Sequence, residues 1–333
     1  MHHPVPRNPE SCMPKQVLTA IKAGLKKGWS GLIWLVKILV PVSLATALMV
    51  HYQLLHHIDF ILQPMMSMIH LPASAAVVLV IGVFTGIYGT VAALSVMPFS
   101  MAHMILIAVF TLISHNLIQE SLVQANSGLR FSTAVFFRLV MSFVVTMICG
   151  RIMGVDPGIA GQAAVPVLQA APGPLSVMLI DWATGTAWLC LKILCIIMSL
   201  MVAMELARIF HLIEIVTRIC APVLRLLGLD KSCALLWMTA AVFGLAYGAA
   251  VIVEETKNST HDPKAVTRLQ LSIGINHAMI EDPSLFLPLG LPAFWLWIPR
   301  LVAAMAAAWL HMAFSWARRF YAARSGHKKL CDY

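Results

Sequence analysis

A chain of 333 residues with 60% hydrophobic residues, 11% charged residues and a mean hydropathy of +0.85 lies outside the ordinary soluble class, in which about a quarter of residues are charged. It has room for roughly eight membrane spans of about 20 residues each. The formal charge of +9 would suggest nucleic acid in a soluble protein, but membrane proteins collect Lys and Arg in cytoplasmic loops, so nucleic acid is not an expected partner and the lipid bilayer is.

Basic residues Lys15, Lys22, Lys26 and Lys27 precede an apolar run from Trp29 to Val50 with no small-residue cleavage site after it, which reads as a retained first helix. Further apolar stretches fall at 76–97, 103–124, 133–150, 184–205, 234–253, 266–285 and 293–316. Residues 54–72 and 211–230 are mixed in polarity and interrupted by proline, as interfacial amphipathic helices are. The seven cysteines (12, 149, 190, 195, 220, 233 and 331) show no CxxC spacing and read as small core residues.

The two halves resemble one another. "VKILV" (36–40) matches "LKILC" (191–195), "QPMMSMIHLPAS" (63–74) matches "APVLRLLGLDKS" (221–232), and "VFTGIYG" (83–89) matches "VFGLAYG" (242–248). "HNLIQE" (115–120) matches "NHAMIE" (276–281), and "FRLV" (137–140) matches "PRLV" (299–302). The offset grows from 155 through 158, 159 and 161 to 162, as a duplication with small insertions would give.

Charge then selects a topology. With eight full spans and the N-terminus inside, Arg130, Arg208, Arg218, Arg225 and Lys231 would lie outside, against the positive-inside rule. If 76–97 and 234–253 are re-entrant hairpins, those five become cytoplasmic and only Arg151 moves out. Gly82, Gly86, Gly89, Gly244 and Gly248 weaken those two segments midway. The expected fold is therefore an all-α polytopic membrane protein of two inverted repeats, each three transmembrane helices plus one hairpin; eight full spans is the alternative. The expected organisation is a cytoplasmic tail (1–28), a first repeat (29–153), an extracytoplasmic linker (154–183), a second repeat (184–316) and a basic cytoplasmic tail (317–333).

Ionisable groups at bilayer depth are costly and persist where they are paired, wetted or functional. His115, Asn116 and Gln119 in the first half, with Asn276 and His277 in the second, are candidate substrate-lining residues. Two symmetric charge clusters are expected, Lys37 with Glu120 and Arg138 on the inner side, and Lys192 with Glu281, Asp282 and Arg300 on the outer. Competing readings make Glu120 and Glu281 headgroup-level helix ends, let Lys37 and Lys192 snorkel, and make the His and Asn residues interhelical glue. No HExxH or Cys/His zinc spacing occurs, although a transient metal path through His115, His277 and carboxylates stays open. No phosphate loop or nucleophile elbow occurs, so neither an enzyme nor a bound cofactor is expected.

The stretches "VFGLAYGAAVIVEE" and "RLQLSIGINHAMIEDPSLF" (268–286), with "VFTGIYGTVAAL" and "LISHNLIQE" in the first half, resemble the Gate, or nucleoside-recognition, domain family. That superfamily links concentrative nucleoside transporters, the membrane part of bacterial ferrous-iron transporters and spore maturation membrane proteins. The resemblance covers about residues 30–316 and implies that Tyr88, Gly89, Tyr247 and Gly248 sit at hairpin tips and that His115, Asn116, Asn276 and His277 face a central cavity. The polar Gln, Thr and Glu hairpin motif of nucleoside transporters and the GTP-binding domain of iron transporters do not occur. The expected function is a bacterial inner-membrane permease, termini cytoplasmic, for a nucleoside-like solute, a divalent metal or an organic anion. The competing class is a non-transporting scaffold or regulatory subunit, with a homo-oligomer or a membrane subunit as partner.

Overall fold

The computed structural model describes residues 13–52, 54, 56–155, 174–210, 212, 215, 233, 236–242, 244, 245 and 262–328. The described residues form helices and no strand. In chain order these are α1 (Met13–His51), α2 (His56–Ser67), α3 (Ala75–Thr85), α4 (Ile87–Leu94), α5 (Met101–Ser114), α6 (Leu117–Asn126) and α7 (Phe131–Ile152). The second half supplies α8 (Leu175–Ile209), α9 (Pro263–Ile275), α10 (Glu281–Ser284) and α11 (Ala293–Lys328), with residues 236–242 also helical. Lys15–His51, Met101–Asn126, Phe131–Ile152, Leu175–Ile209 and Ala293–Arg318 are long and apolar enough to cross a bilayer. The chain is an all-α, multi-pass membrane protein.

Helices α1 and α8 run antiparallel. Lys27 pairs with Glu205 near one end, and Trp182 Nε1 donates to Ser43 Oγ at 3.1 Å near the other. Between them the backbones almost touch, because a Cβ on Gly24 would stand 2.7 Å from the Cα of Val202. Small residues permit such approach, and in lipid close packing replaces the hydrophobic drive as the force between helices. At 39 and 35 residues both far exceed the roughly 20 that a hydrocarbon core requires. Residues 13–28 of the expected tail are part of α1, residues 175–183 of the expected linker begin α8, and α11 continues to Lys328.

The segment expected as the first hairpin is two helices folded back on each other. In a straight helix residues eight apart are separated by about 12 Å, yet a Cβ on Gly82 would fall 2.4 Å from Thr90 Oγ1. The chain reverses at Gly86, whose φ of 83° and ψ of −169° are essentially open to glycine alone. Tyr88 and Gly89 therefore lie in the first turn of α4 rather than at the tip. Tyr247 and Gly248, like residues 216–230 of the expected interfacial helix at 211–230, fall outside the described residues.

Two expected spans are broken at polar steps. Within 103–124 the helix stops at Ser114 and restarts at Leu117, with Asn116 left-handed at φ 45°. Within 266–285 α9 stops at Ile275, Ala278 is left-handed at φ 44°, and α10 resumes at Glu281. The latter is therefore not a continuous span. Helix α5 lies at the centre of the fold, with Ile105 through Ser114 buried among α3, α4, α7 and α11. Phe136 and Ile152 on α7, Ile180 and Trp188 on α8, and Phe314 and Trp316 on α11 are exposed, as lipid-facing side chains are.

Candidate functional site

A helix that ends inside a membrane leaves its last carbonyls without amide partners, and in lipid each unsatisfied group costs several kcal/mol. Both broken helices meet this cost in the same way. Arg138 of α7 donates from Nε to Ile113 O at 2.9 Å and from Nη2 to His115 O at 2.9 Å. Arg300 of α11 donates from Nε to Ile275 O at 3.3 Å and from Nη2 to His277 O at 2.8 Å. Each guanidinium thus caps a helix C-terminus, where positive charge also suits the helix dipole.

The turns themselves are held on α3 and on the helix at 236–242. Asn116 N–H donates to Gly82 O at 3.4 Å, and Ala278 N–H donates to Ala240 O at 3.0 Å. Gly86 abuts the Asn116 amide and Gly244, at φ 77°, faces the Cβ of Ala278. These roles set the correspondence between halves. Residues 113, 115, 116 and 138 recur as 275, 277, 278 and 300, while 82 and 86 recur as 240 and 244. The matching of identical letters at offsets of 159 and 161 was thus one residue out at both turns. His115 answers to His277, Asn116 to Ala278, and Glu120 to Asp282.

The two turns bring one polar cluster together. His115 Nε2 lies 3.2 Å from Glu120 Oε1 and 3.2 Å from Asp282 Oδ2, and His277 Nε2 lies 3.0 Å from Glu120 Oε2. The imidazole rings are 5.1 Å apart between centroids. Arg138 Nη2 donates to Glu120 Oε2 at 2.6 Å. His115, His277, Arg138 and Arg300 are each no more than 2% exposed. Each histidine Nδ1 faces a backbone carbonyl, Thr111 O at 3.1 Å and Ile273 O at 2.8 Å. A carbonyl only accepts, so Nδ1 carries the proton and Nε2 is turned toward the carboxylates.

The two expected charge clusters are therefore one. Glu120 takes Arg138 as its cation, and Lys37 is exposed on α1. Lys192 is exposed as well, 3.5 Å from Pro288 O and over the ring of Trp188. Glu281 turns away from Arg300 and accepts from Tyr88 OH at 2.9 Å, tying α10 to α4. Gln119 is exposed beside the break, and Asn276 is buried with its amide on Met279 Sδ. Of the residues expected to line a site, His115 and His277 meet in the cluster, and Asn116 forms the turn beneath it.

Some contacts lay outside the sequence reading. Gln124 Nε2 donates to Gln270 O at 2.6 Å, and Gln270 Nε2 donates to Ser127 O at 3.3 Å, locking α6 to α9. Trp297 Nε1 donates to Met279 O at 2.7 Å, holding the second turn. The available signal was a glutamine or tryptophan in an otherwise apolar run.

The chain is 26% identical over 306 residues, 92% of its own length and 96% of the relative's, to "Uncharacterized membrane protein YvoD" of Bacillus subtilis (strain 168). No protein-family profile matches the chain. No solved structure matches it.

Proposed function

We propose that the protein is a bacterial inner-membrane transporter for a small polar solute or ion, with both termini cytoplasmic. The single observation that carries this reading is the buried cluster of two histidines, two carboxylates and an arginine where the helix breaks of both halves meet. Discontinuous helices converging on a polar site are how secondary transporters hold their cargo. Ionisable groups so placed are expensive unless they serve a pathway. In this reading the halves are inverted repeats and α3–Gly86–α4 is a re-entrant hairpin. The antiparallel pairing of α1 with α8, which hold repeat-related positions, supports the inversion. Irregular backbone at membrane depth is tolerated only where protein or a water-filled cavity covers it, which accords with the burial of both turns.

Transport would proceed by exposing the cluster alternately to the two sides. The Tyr88–Glu281 hydrogen bond links the folded-back segment of one half to the second turn of the other. Its breakage and remaking is the motion assigned to opening. The resemblance to the Gate family supports this architecture. The test is flux into proteoliposomes for nucleosides, divalent metals and organic anions. Wild-type protein should move one class of solute, and His115→Ala or His277→Ala should abolish that flux; no flux for any class defeats the reading.

One observation favours a second reading, a non-transporting scaffold or regulatory subunit. Both arginines are spent on helix-end carbonyls, a structural duty. If so, cluster variants would lower stability, co-purification with a partner subunit would persist, and no flux would be found.

A further inference from the structure

The structure assigns a divalent first-row transition-metal ion to the central cluster, held by His115 Nε2, His277 Nε2 and an Asp282 carboxylate oxygen, with Glu120 beside them. For transport this rests on the reading above, but the binding itself does not.

The donor set is the first support. One ligand atom from each of His115, His277 and Asp282 lies within 4.8 Å of the others. The close contacts His115–Glu120, His115–Asp282 and His277–Glu120 measure 3.2, 3.2 and 3.0 Å. Metal–nitrogen and metal–oxygen bonds of about 2.0–2.1 Å place neighbouring tetrahedral donors about 3.3 Å apart. Three of the spacings therefore already match an edge of such a polyhedron, and the His115, His277 and Asp282 atoms all lie within 4.8 Å of one another. Two imidazoles with carboxylates suit zinc, iron, cobalt and manganese rather than calcium or magnesium.

The support around the ligands is the second. A metal-binding histidine normally donates its other ring N–H to a carbonyl or carboxylate, which fixes the tautomer and aims the lone pair. Both histidines have this arrangement, on Thr111 O and Ile273 O. Those carbonyls belong to the last turns of the two broken helices, so the breaks themselves orient the ligands.

Third, two inward-facing atoms are held by charge contacts alone. His277 Nε2 and Asp282 Oδ2 are buried, lie 3.0 Å from Glu120 and 3.2 Å from His115, respectively, and make no well-aligned hydrogen bond among the described residues. A neutral imidazole nitrogen facing carboxylate oxygens at this range is repulsive unless a proton or a metal cation lies between them. The balance of charge agrees, because Glu120, Glu281 and Asp282 outnumber Arg138 and Arg300 around the site. Arg138 also leaves Glu120 Oε1 on the His115 side, free of the guanidinium.

The experiment uses the full chain, purified without an affinity tag in detergent and stripped with a chelator. It is titrated with cobalt(II), followed by visible absorption, then with zinc(II) as competitor. One equivalent of cobalt should bind with the intense bands of a four-coordinate site and be displaced by zinc. His277→Gln and Asp282→Asn should each weaken binding by more than about tenfold, whereas His311→Gln, outside the cluster, should not. Asp282→Asn preserves side-chain shape, and monodisperse elution shows that the variant is folded. Absence of cobalt and zinc binding, or binding that survives both cluster variants, overturns the inference. Cluster-dependent flux of an organic solute without metal binding overturns it while sparing the transport reading. Metal binding without any flux upholds the inference and removes transport.

Discussion

The polar turns at Asn116 and Ala278 each carry one left-handed residue and one buried histidine, and they differ most in the acid that follows. In the first half the acid is Glu120, long enough to reach its own arginine at 2.6 Å. In the second it is Asp282, one methylene shorter, which contacts His115 of the other half and leaves Arg300 without a carboxylate partner at ion-pair distance among the described residues. Glu120 in turn reaches across to His277. The first turn is thus internally neutralised and anchors the cluster, whereas the second supplies the less committed oxygen.

The largest expected difference lies in the arginines. Arg138→Ala would uncap α5 and leave Glu120 buried without its cation, a loss of about 3–5 kcal/mol. Arg300→Ala would uncap α9 but strand no paired carboxylate, costing about 1–3 kcal/mol. Denaturation in detergent measures both, and equal losses would erase the distinction between halves. Next come the reversal glycines. Gly86→Ala forces a side chain into backbone that only glycine adopts readily, with a Cβ 2.7 Å from the Asn116 amide, for about 2–3 kcal/mol. Gly244→Ala meets the Ala278 Cβ at 3.2 Å among the described residues and should cost about 1–2 kcal/mol. Thermal melts that rank the two the other way would show that the second turn is the tighter.

A smaller effect separates the left-handed residues. Alanine strains at φ 44° where asparagine is tolerated at φ 45°, so Ala278→Gly should stabilise by about 0.5–1 kcal/mol. Asn116→Gly should give no such gain, and matching gains would mean that backbone strain does not distinguish the turns. Smallest of all, Lys37→Ala should change stability by less than about 0.5 kcal/mol. A larger loss, or a lost flux, would restore Lys37 to the partnership with Glu120 that the sequence suggested.

Much of the helical framework was legible in advance, since α1, α7, α8 and α11 each cover an apolar run seen in the sequence. An echo between the two polar turns was legible too, although letter matching places it one residue out at both. Letter matching pairs Asn116 with His277, whereas the backbone pairs His115 with His277 by what each ring does. The site was legible as residue types and illegible as a geometry. His115 and Glu120 are five positions apart and would face different directions on an unbroken helix, but the left-handed Asn116 turns the chain so that they meet at 3.2 Å.

The amino-acid sequence determined by itself that this chain lives in lipid, that its helices are long and that its halves echo one another, because hydrophobicity and period are local quantities. Only the tertiary structure decided that Glu120 and Asp282 share one cluster, that Arg138 but not Lys37 pairs with Glu120, and that Tyr88 reaches Glu281. Those contacts join positions from 18 to nearly 200 residues apart. They depend on where two helices stop, and an orphaned carbonyl must find its donor wherever the fold places one.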